Sequence, residues 1–558
     1  MSLSNPNLPK LFFALRAYNA QLFFHDLLAG ITVGLVALPL AMAFGIASGV
    51  TPQAGLYTAV VAGFLISALG GSRTQIGGPT GAFVVIVAGI VARFGMSGLA
   101  MVTLMGGVML LIMGLTGLGA AVRFIPRVVV IGFTNGIAIL IASTQIKDFF
   151  GLRTGAVPSE FLPRLKVLLS HAATVNWAAV GLGLGTLAIL LFLPRITRRV
   201  PASIVALLVC TGVAVAFRLP VDTIGSKFGG IPQGLPPFAI PDFHAEHILP
   251  LIPSAFTVAM LAALESMLSA VVADGMTGDR HNPNVELAAQ GIANIVSPLF
   301  GGIPATGAIA RTATNVRSGG RTPVAGILHA LTLLGILLVA APLAAYIPLA
   351  TLAAVLFVVA YNMGEWPEIA AVFQMDLAAI AVWLVTFALT VFADLTVAVA
   401  VGLGLAALLY IYRIAETTTV SPVTDEYIRD GLPHVLQGRI VPPYVTLLRI
   451  HGPFLFGTTE KLVEATANLE AFAPVVILRL RNMTAIDDTG IHAIETFAGR
   501  LRQSGRSLLL CGAMQQPSRL LQSPRFLDRV GRENIMPNIQ AALDRASAIH
   551  NVTHSLAC

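Results

Sequence analysis

Fourteen apolar runs recur between Ala29 and Tyr412, and no other feature restricts the fold of this chain as strongly. With boundaries good to a few residues they read as helices near 29–47, 54–69, 80–92, 98–119, 126–146, 177–194, 201–217, 250–272, 285–299, 306–317, 323–344, 349–364, 377–393 and 395–413. A segment in lipid must satisfy its own backbone polar groups, and a helix does so internally. Charged residues make up 11% of the 558, against ~25% in ordinary soluble domains, too few to coat a soluble surface of this size. The expected fold is therefore a polytopic α-helical membrane protein with most of its mass in the bilayer.

The charges cluster toward the end. Residues 1–420 hold 20 Lys/Arg and 15 Asp/Glu, and residues 421–558 hold 14 and 12. In that tail, Val445–Ile450, Val475–Leu480 and Leu508–Cys511 are strand-like, while Thr459–Phe472 and Gly490–Ser504 have helical spacing. Four regions follow: an N-terminal segment 1–24, a membrane domain 25–415, a linker 416–439 and an α/β domain 440–558. The N-terminus lacks the secretory order of basic region, apolar core and small-residue cleavage site, so the first run is expected to stay as a membrane helix.

Net charge is +7 with no basic run interleaved with aromatics, which argues against a nucleic-acid surface and fits a positive-inside bias. With the N-terminus in the cytoplasm, Lys10, Arg16, Arg73, Arg123, Arg127, Arg195, Arg198, Arg199, Arg280, Arg317, Arg321 and Arg413 fall inside. Arg93, Lys147, Arg153, Arg164, Lys166, Arg218 and Lys227 fall outside. An even number of spans returns the C-terminus to the cytoplasm. Cys210, Cys511 and Cys558 stand far apart and make neither metal spacing nor a disulfide framework. No Walker A, HExxH or GxSxG motif appears, and Gly181-Leu-Gly183-Leu-Gly185 lies inside an apolar helix without a preceding strand. No enzyme, metal or organic cofactor is expected.

Two runs, 80–92 and 306–317, are shorter than the ~20 residues of a full span, and each follows Gly/Pro-rich sequence. The first opens Gly78-Pro79-Thr80-Gly81-Ala82-Phe83, the second Pro304-Ala305-Thr306-Gly307-Ala308-Ile309. Upstream, Thr51-Pro52 leads to Gly70-Gly71, and Asn282-Pro283 leads to Gly301-Gly302, both pairs offset by 231 residues. This reads as an internal repeat of seven helices, the second copy inverted because seven is odd. Helices that begin at membrane mid-depth present free N–H groups and positive dipole ends. Set nose to nose they make an anion site without a cationic side chain. Thr80 and Thr306 would add hydroxyl donors, and Gly81 and Gly307 would let a ligand approach the backbone. The alternative is that Gly and Pro merely relax two ordinary helices; the matched repetition favours the site.

Glu265 lies in Ala255–Val272, otherwise apolar apart from Thr257, Ser266 and Ser269. A carboxylate at that depth costs ~2.5–3.5 kcal/mol on an insertion scale for Asp, which suits a group that exchanges a proton; a structural hydrogen bond is the alternative. Ser269, one turn on, is its expected polar neighbour. Arg311 would pair with Glu265 or hold the substrate in fork geometry, or else snorkel to the interface with Arg317 and Arg321. Asp394 is assigned no role.

These stretches resemble the SulP (sulfate permease) family of anion transporters. The resemblance is carried by Asp26-Leu-Leu-Ala-Gly-Ile-Thr-Val-Gly-Leu-Val-Ala-Leu-Pro, Gly55-Leu-Tyr-Thr, Gly78-Pro-Thr-Gly-Ala-Phe and Phe300-Gly-Gly-Ile-Pro-Ala-Thr-Gly-Ala-Ile-Ala-Arg. It implies fourteen helices in two inverted sevens, a core and a gate bundle, elevator-like motion and homodimers. It also implies an anion site between the third and tenth helices, matched by Thr80, Gly81, Ala82, Gly307 and Ala308, with Glu265 from the eighth; with Phe83, Thr306 and Arg311 these make up the expected substrate-binding set. The tail resembles a STAS domain, which implies a cytoplasmic regulator; there an Asp-x-Ser/Thr-Gly turn can carry a phosphorylatable hydroxyl, matched here by Thr489 in Asp487-Asp488-Thr489-Gly490, but a plain helix start is the favoured reading of this turn. Ala263-Leu-Glu-Ser-Met-Leu-Ser with Ala308-Ile-Ala-Arg is most similar to the bacterial C4-dicarboxylate member. That implies proton-coupled uptake of succinate, aspartate or fumarate at a bacterial inner membrane, with sulfate or bicarbonate transport, or an anion channel, as the alternative.

Overall fold

The computed structural model describes residues 8–119, 126–155, 157–197, 200–242, 246, 248–393, 395–423 and 441–557. Arg123, Arg198, Arg199, Asp394 and most of the linker region lie outside these. The chain divides into two compact units, Met1–Ala406 and Ala407–Cys558.

The first unit is helical. Its elements are α1 (Lys10–Arg16), α2 (Ala20–Ala47), α3 (Pro52–Leu69), α4 (Val84–Leu115), α5 (Arg127–Phe149), α6 (Phe161–Ser170), α7 (Trp177–Ile196), α8 (Ala202–Ala216) and α9 (Ile224–Phe228). There follow α10 (Ile248–Thr277), α11 (Pro283–Val296), α12 (Ile309–Arg317), α13 (Pro323–Ala344), α14 (Leu349–Met363), α15 (Trp366–Val372), α16 (Leu377–Phe392) and α17 (Leu395–Thr417), which crosses into the second unit. Among the described residues nine helical segments are long and apolar enough to cross a membrane by length and composition. Two of the apolar runs share α4, which is interrupted at Gly95 (φ 69°, ψ −168°), a conformation open to glycine alone at no steric cost. Runs 201–217, 285–299, 306–317 and 377–393 fall on the shorter helices α8, α11, α12 and α16. The sequence pattern passed over α1, α6, α9 and α15, which are too short or too polar to register as spans.

Small residues let these helices touch. At Gly291 of α11 a Cβ would stand 2.5 Å from the Leu111 amide of α4, so the two backbones meet without side chains between them. The repeat is visible in the caps: Thr51 and Asn282 occupy matching N-cap positions, each followed by proline as the first helical residue. After α3 and α11 the chain becomes extended, and the two extended pieces pair. Strands β1 (Gly77–Gly78) and β2 (Thr306–Gly307) run antiparallel, Gly77 opposite Gly307 and Gly78 opposite Thr306.

The second unit holds a five-stranded sheet in the order β3-β4-β5-β6-β7: β3 (Thr419–Pro422), β4 (Val445–Phe454), β5 (Val475–Ile486), β6 (Ser507–Cys511) and β7 (Ile535–Met536). β3 pairs antiparallel with β4, and the remaining pairs are parallel. Alternation sorts the apolar residues onto both faces. Leu448, Ile450, Leu478 and Leu510 pack with Ile494, Phe497 and Leu501 of the helix Asp488–Gln503. Leu447, Ile477 and Leu509 pack with Ile539, Ala542 and Ala546 of the helix Ile539–Ala557. The helical pattern at Thr459–Phe472 yields only Glu460–Ala465 and a 3₁₀ turn at Leu469–Ala471.

Candidate functional site

The β1–β2 ladder sets where the two short helices begin. Beyond β1, Thr80 is extended (φ −129°, ψ 162°), a 3₁₀ turn covers Gly81–Phe83, and α4 starts at Val84. Beyond β2, Ala308 is extended and α12 starts at Ile309, so Thr306 and Gly307 belong to the strand rather than to a helix. The first bond within α12 runs from Thr312 N–H to Ala308 C=O. The N–H groups of Ile309, Ala310 and Arg311 therefore have no acceptor inside the helix. The leading ends are brought together, since antiparallel neighbours lie ~5 Å apart.

Across this crossing runs α10. The Thr80 hydroxyl donates to Glu265 Oε2 at 2.7 Å, which joins the start of the first broken helix to the acidic residue. Glu265 is half-buried and, with Ala82, Phe133, Thr134, Ile137 and Met363, lines a cavity of ≈30 Å³. That is room for one or two waters or a compact anion entering with slight expansion. A Cβ on Gly81 would meet only side-chain ends: Ile141 Cδ1 at 3.1 Å, Met363 Sδ at 3.4 Å and Phe44 Cε1 at 3.4 Å. Thr80, Gly81, Ala82 and Glu265 thus stand together as the sequence suggested.

The second half of the repeat behaves differently, and several expectations are corrected. Thr306 does not offer its hydroxyl to a ligand: it bonds Ser266 Oγ at 2.7 Å and the Ala262 carbonyl at 2.9 Å. Gly307 is not bare to admit a ligand; a Cβ there would fall 1.6 Å from Gln75 Nε2, and its N–H donates to Ser266 Oγ at 3.1 Å. Ala308 donates its N–H to the Ile76 carbonyl at 2.8 Å. Ser269 is not the neighbour of Glu265, because its hydroxyl pairs with Thr312 Oγ1 at 2.9 Å, which also accepts the Ile76 N–H at 3.0 Å. Phe83 is fully buried in the apolar core and is not among the residues lining the cavity. Arg311 does not snorkel, and among the described residues it makes no direct ion pair with Glu265, though the two charges lie close enough to interact. It is 2% exposed, donates through Nη2 to the Pro79 carbonyl, and leaves Nη1 unpartnered. Its guanidinium braces the extended stretch just before Thr80.

The residues that sequence reasoning missed are the ones that lock this crossing. Gln75 donates to the Ser266 carbonyl at 3.2 Å. Asn294 both donates to and accepts from Ala305 at 2.8 Å. Asn315 donates to the Thr74 carbonyl at 2.8 Å. Glu286 accepts the N–H groups of Gly71 and Ser72 at 2.9 and 3.1 Å. Asn294, Asn315 and Glu286 satisfy backbone groups of the extended stretches that helices would have satisfied for themselves, and Gln75 ties its stretch to α10. The signal for Glu286 and Asn294 was available, as polar side chains inside the apolar run 285–299, whereas Gln75 lies between runs and left none.

In the second unit Thr489 is exposed in the first turn of its helix. Asp487 is the N-cap, accepting from Gly490 N–H at 2.8 Å and Phe456 N–H at 2.9 Å. Gly490 is required for packing, since a Cβ would lie 2.5 Å from the Phe454 carbonyl. No group of three or more His, Cys, Asp or Glu side chains placed to hold a metal occurs among the described residues.

A helical membrane unit with two short helices starting from a shared crossing beside a carboxyl-lined cavity defines a class, the membrane transporter with broken helices. The sulfate permease family matches residues 23–386 and the STAS domain residues 439–542. The chain is 42% identical to "Putative sulfate transporter YvdB" of Bacillus subtilis over 93% of this chain and 97% of that protein. It is 32% identical to the bicarbonate transporter BicA of a Picosynechococcus strain over 93% and 94%. The structure of the murine Slc26a9 anion transporter superposes with a TM-score of 0.85 at 18% identity, over 97% of this chain and 94% of that one, and shares its fold. The chain belongs to the sulfate permease family, with a C-terminal STAS domain: a multi-pass membrane transporter of anions, not an enzyme. These similarities to sulfate and bicarbonate transporters replace the likeness to a C4-dicarboxylate member drawn from Ala263–Ser269.

Proposed function

We propose that the chain is a proton-coupled importer of a small inorganic oxyanion, sulfate first and bicarbonate second. The observation that carries this reading is the 2.7 Å bond from Thr80 to Glu265 at the head of the first broken helix. Helix N-termini favour an anion, and an ionised carboxylate beside them opposes it. For two unit charges ~5 Å apart at an effective dielectric of about 20 the repulsion is about 3 kcal/mol, or roughly a hundredfold in affinity. Protonating Glu265 removes that opposition, and by reciprocity the bound anion favours the proton. The names carried by the relatives point to a small inorganic oxyanion rather than a four-carbon dicarboxylate.

In the same reading the chain works as a homodimer. An elevator-like motion carries the site between the two faces of a bacterial inner membrane, and both termini are cytoplasmic. The STAS domain answers to a cytoplasmic regulator through Thr489. The test is uptake of radiolabelled sulfate, bicarbonate and succinate into proteoliposomes, with and without an inward proton gradient. Sulfate uptake is expected to rise with the gradient, and Glu265→Gln to bind sulfate while losing that stimulation. Gradient-independent uptake by the wild type, or acid stimulation that survives in Glu265→Gln, overturns the coupling.

A further inference from the structure

One stripe of α5 lines two cavities. Val130, Thr134 and Ile137 face the small cavity beside Glu265, and about two to three turns later Thr144 and Asp148 face a second cavity of ≈440 Å³. Ile141 stands between them, its Cδ1 3.1 Å from the Cβ position of Gly81, with Phe44 Cε1 and Met363 Sδ beside it. The larger cavity also touches Ala88, Val91 and Ala92 on the first broken helix, beyond the end where Thr80 sits. It opens at the end of α2 marked by Ile46 and Gly49. The 28 residues of α2 place that end ~40 Å from α1. The cavity is a vestibule on the same helix as the proposed site, with Ile141 between the two sets of lining residues along α5.

Its walls are cationic. Lys147, Arg164 and Lys227 face it, with Asp148. Arg164 is 3% exposed and fixed by Ser143 Oγ at 2.9 Å and by the carbonyls of Pro158 and Ser159. A guanidinium donating to three neutral oxygens keeps its whole charge. Lys147 Nζ donates to the Gly155 carbonyl at 3.3 Å and, among the described residues, makes no ion pair within 4 Å. Lys227 is paired with Asp222 at 3.4 Å and remains 40% exposed. Three cations against two carboxylates leave one net positive charge in a concave, partly apolar chamber, where the field is focused. The hydroxyls of Ser143 and Thr144 add polar groups on the same wall.

We propose that this vestibule is an anion-capture site, in which Lys147, Lys227 and Arg164 concentrate a small oxyanion before it passes Ile141. The inference extends the oxyanion-transport reading to a second location on its route. Its primary test does not depend on transport. In detergent-solubilised full-length protein carrying Thr144→Cys, a negatively charged methanethiosulfonate should react about tenfold faster than its positively charged counterpart, normalised to a free thiol. The ratio should fall toward one with added salt and with Lys147→Gln plus Lys227→Gln. Cys210 and Cys511 are buried; the parent chain carrying Cys558→Ser supplies the background for both reporters, and Ala92→Cys provides the second one, on another helix lining the cavity. A ratio near one at both reporters, or one indifferent to the two neutralisations, overturns the site. In proteoliposomes the double variant should raise the KM for radiolabelled sulfate about fivefold with kcat unchanged. Charge-selective thiols without sulfate uptake would sink the transport reading and leave the vestibule standing. Sulfate uptake with charge-blind thiols would do the reverse.

Discussion

Gly81 and Gly307 are equivalents in the repeat, yet the structure assigns them different work, and alanine at each should show it. At Gly307 the new Cβ falls 1.6 Å from Gln75 Nε2 and 3.2 Å from Ser266 Cα. The Gln75 amide must leave, which breaks its 3.2 Å bond to the Ser266 carbonyl. One lost bond is worth about 0.5–1.5 kcal/mol, and a buried polar group left unpaired costs about 1–3 kcal/mol more. A loss of about 2–4 kcal/mol follows. At the 2–4 °C per kcal/mol typical of larger domains, that is on the order of 5–10 °C in apparent melting temperature. At Gly81 the Cβ meets three side-chain ends at 3.1–3.4 Å. Small shifts of Ile141, Met363 and Phe44 absorb it for about 1 kcal/mol, but they narrow the apolar layer beside Glu265. Thermal unfolding of the purified full-length chain, followed by fluorescence-detected size exclusion, reads the first effect, and initial uptake rates in proteoliposomes read the second. Gly307→Ala should lower the melting temperature sharply. Gly81→Ala should keep it within ~3 °C while cutting uptake. Equal destabilisation by the two, or a stable Gly307→Ala, would refute the division between a packing glycine and a site glycine.

The two threonines should separate in the same way. Thr306→Val deletes bonds to Ser266 and Ala262 and should destabilise the chain by about 1–3 kcal/mol, whereas Thr80→Val removes only the bond to Glu265 and should alter proton-driven uptake with little change in melting temperature. Asp487→Ala strips two N–H acceptors from the helix start in the second unit and should cost about 1–2 kcal/mol, seen as early loss of protection at Gly490 and Phe456 in hydrogen exchange. Burial pushes the Cys511 thiol up to about 11, so peptide mass spectrometry of the native chain at pH 8 should find it unalkylated while the denatured chain reacts fully. The sign for stability follows: the unfolded thiol gives up its proton first, so the stability of this unit should fall as pH rises between about 9 and 11, by up to about 3 kcal/mol.

What the sequence made legible was whatever leaves a local mark. Membrane helices announce themselves because hydrocarbon forbids charge over a whole run, and the breaks at Gly78-Pro79 and Pro304 announce themselves because helices avoid those residues. The pairing of Thr80 with Glu265 was within reach because each is a polar group at an apolar depth. Direction was not legible. On α10, Glu265, Ser266 and Ser269 look alike as polar residues at neighbouring positions, yet they face three partners: Thr80, Thr306 and Thr312. Ser266 is one residue, or ~100° of helix rotation, from Glu265, and that turn moves it from the cavity to the β2 crossing. The repeat misled for a related reason. It equates Thr80 with Thr306 and Gly81 with Gly307, but one α10 crosses both halves and supplies a different residue to each. An inverted pair of sequences need not make a symmetric site. In one half the threonine hydroxyl goes to Glu265, the group that can change its charge, and in the other it goes to Ser266 and the Ala262 carbonyl, which hold the crossing together. Arg311 braces Pro79 through Nη2 and lies near enough to Glu265 for the two charges to interact. Its guanidinium charge is fixed, which leaves the proton on Glu265 as the group whose charge can change during a transport cycle.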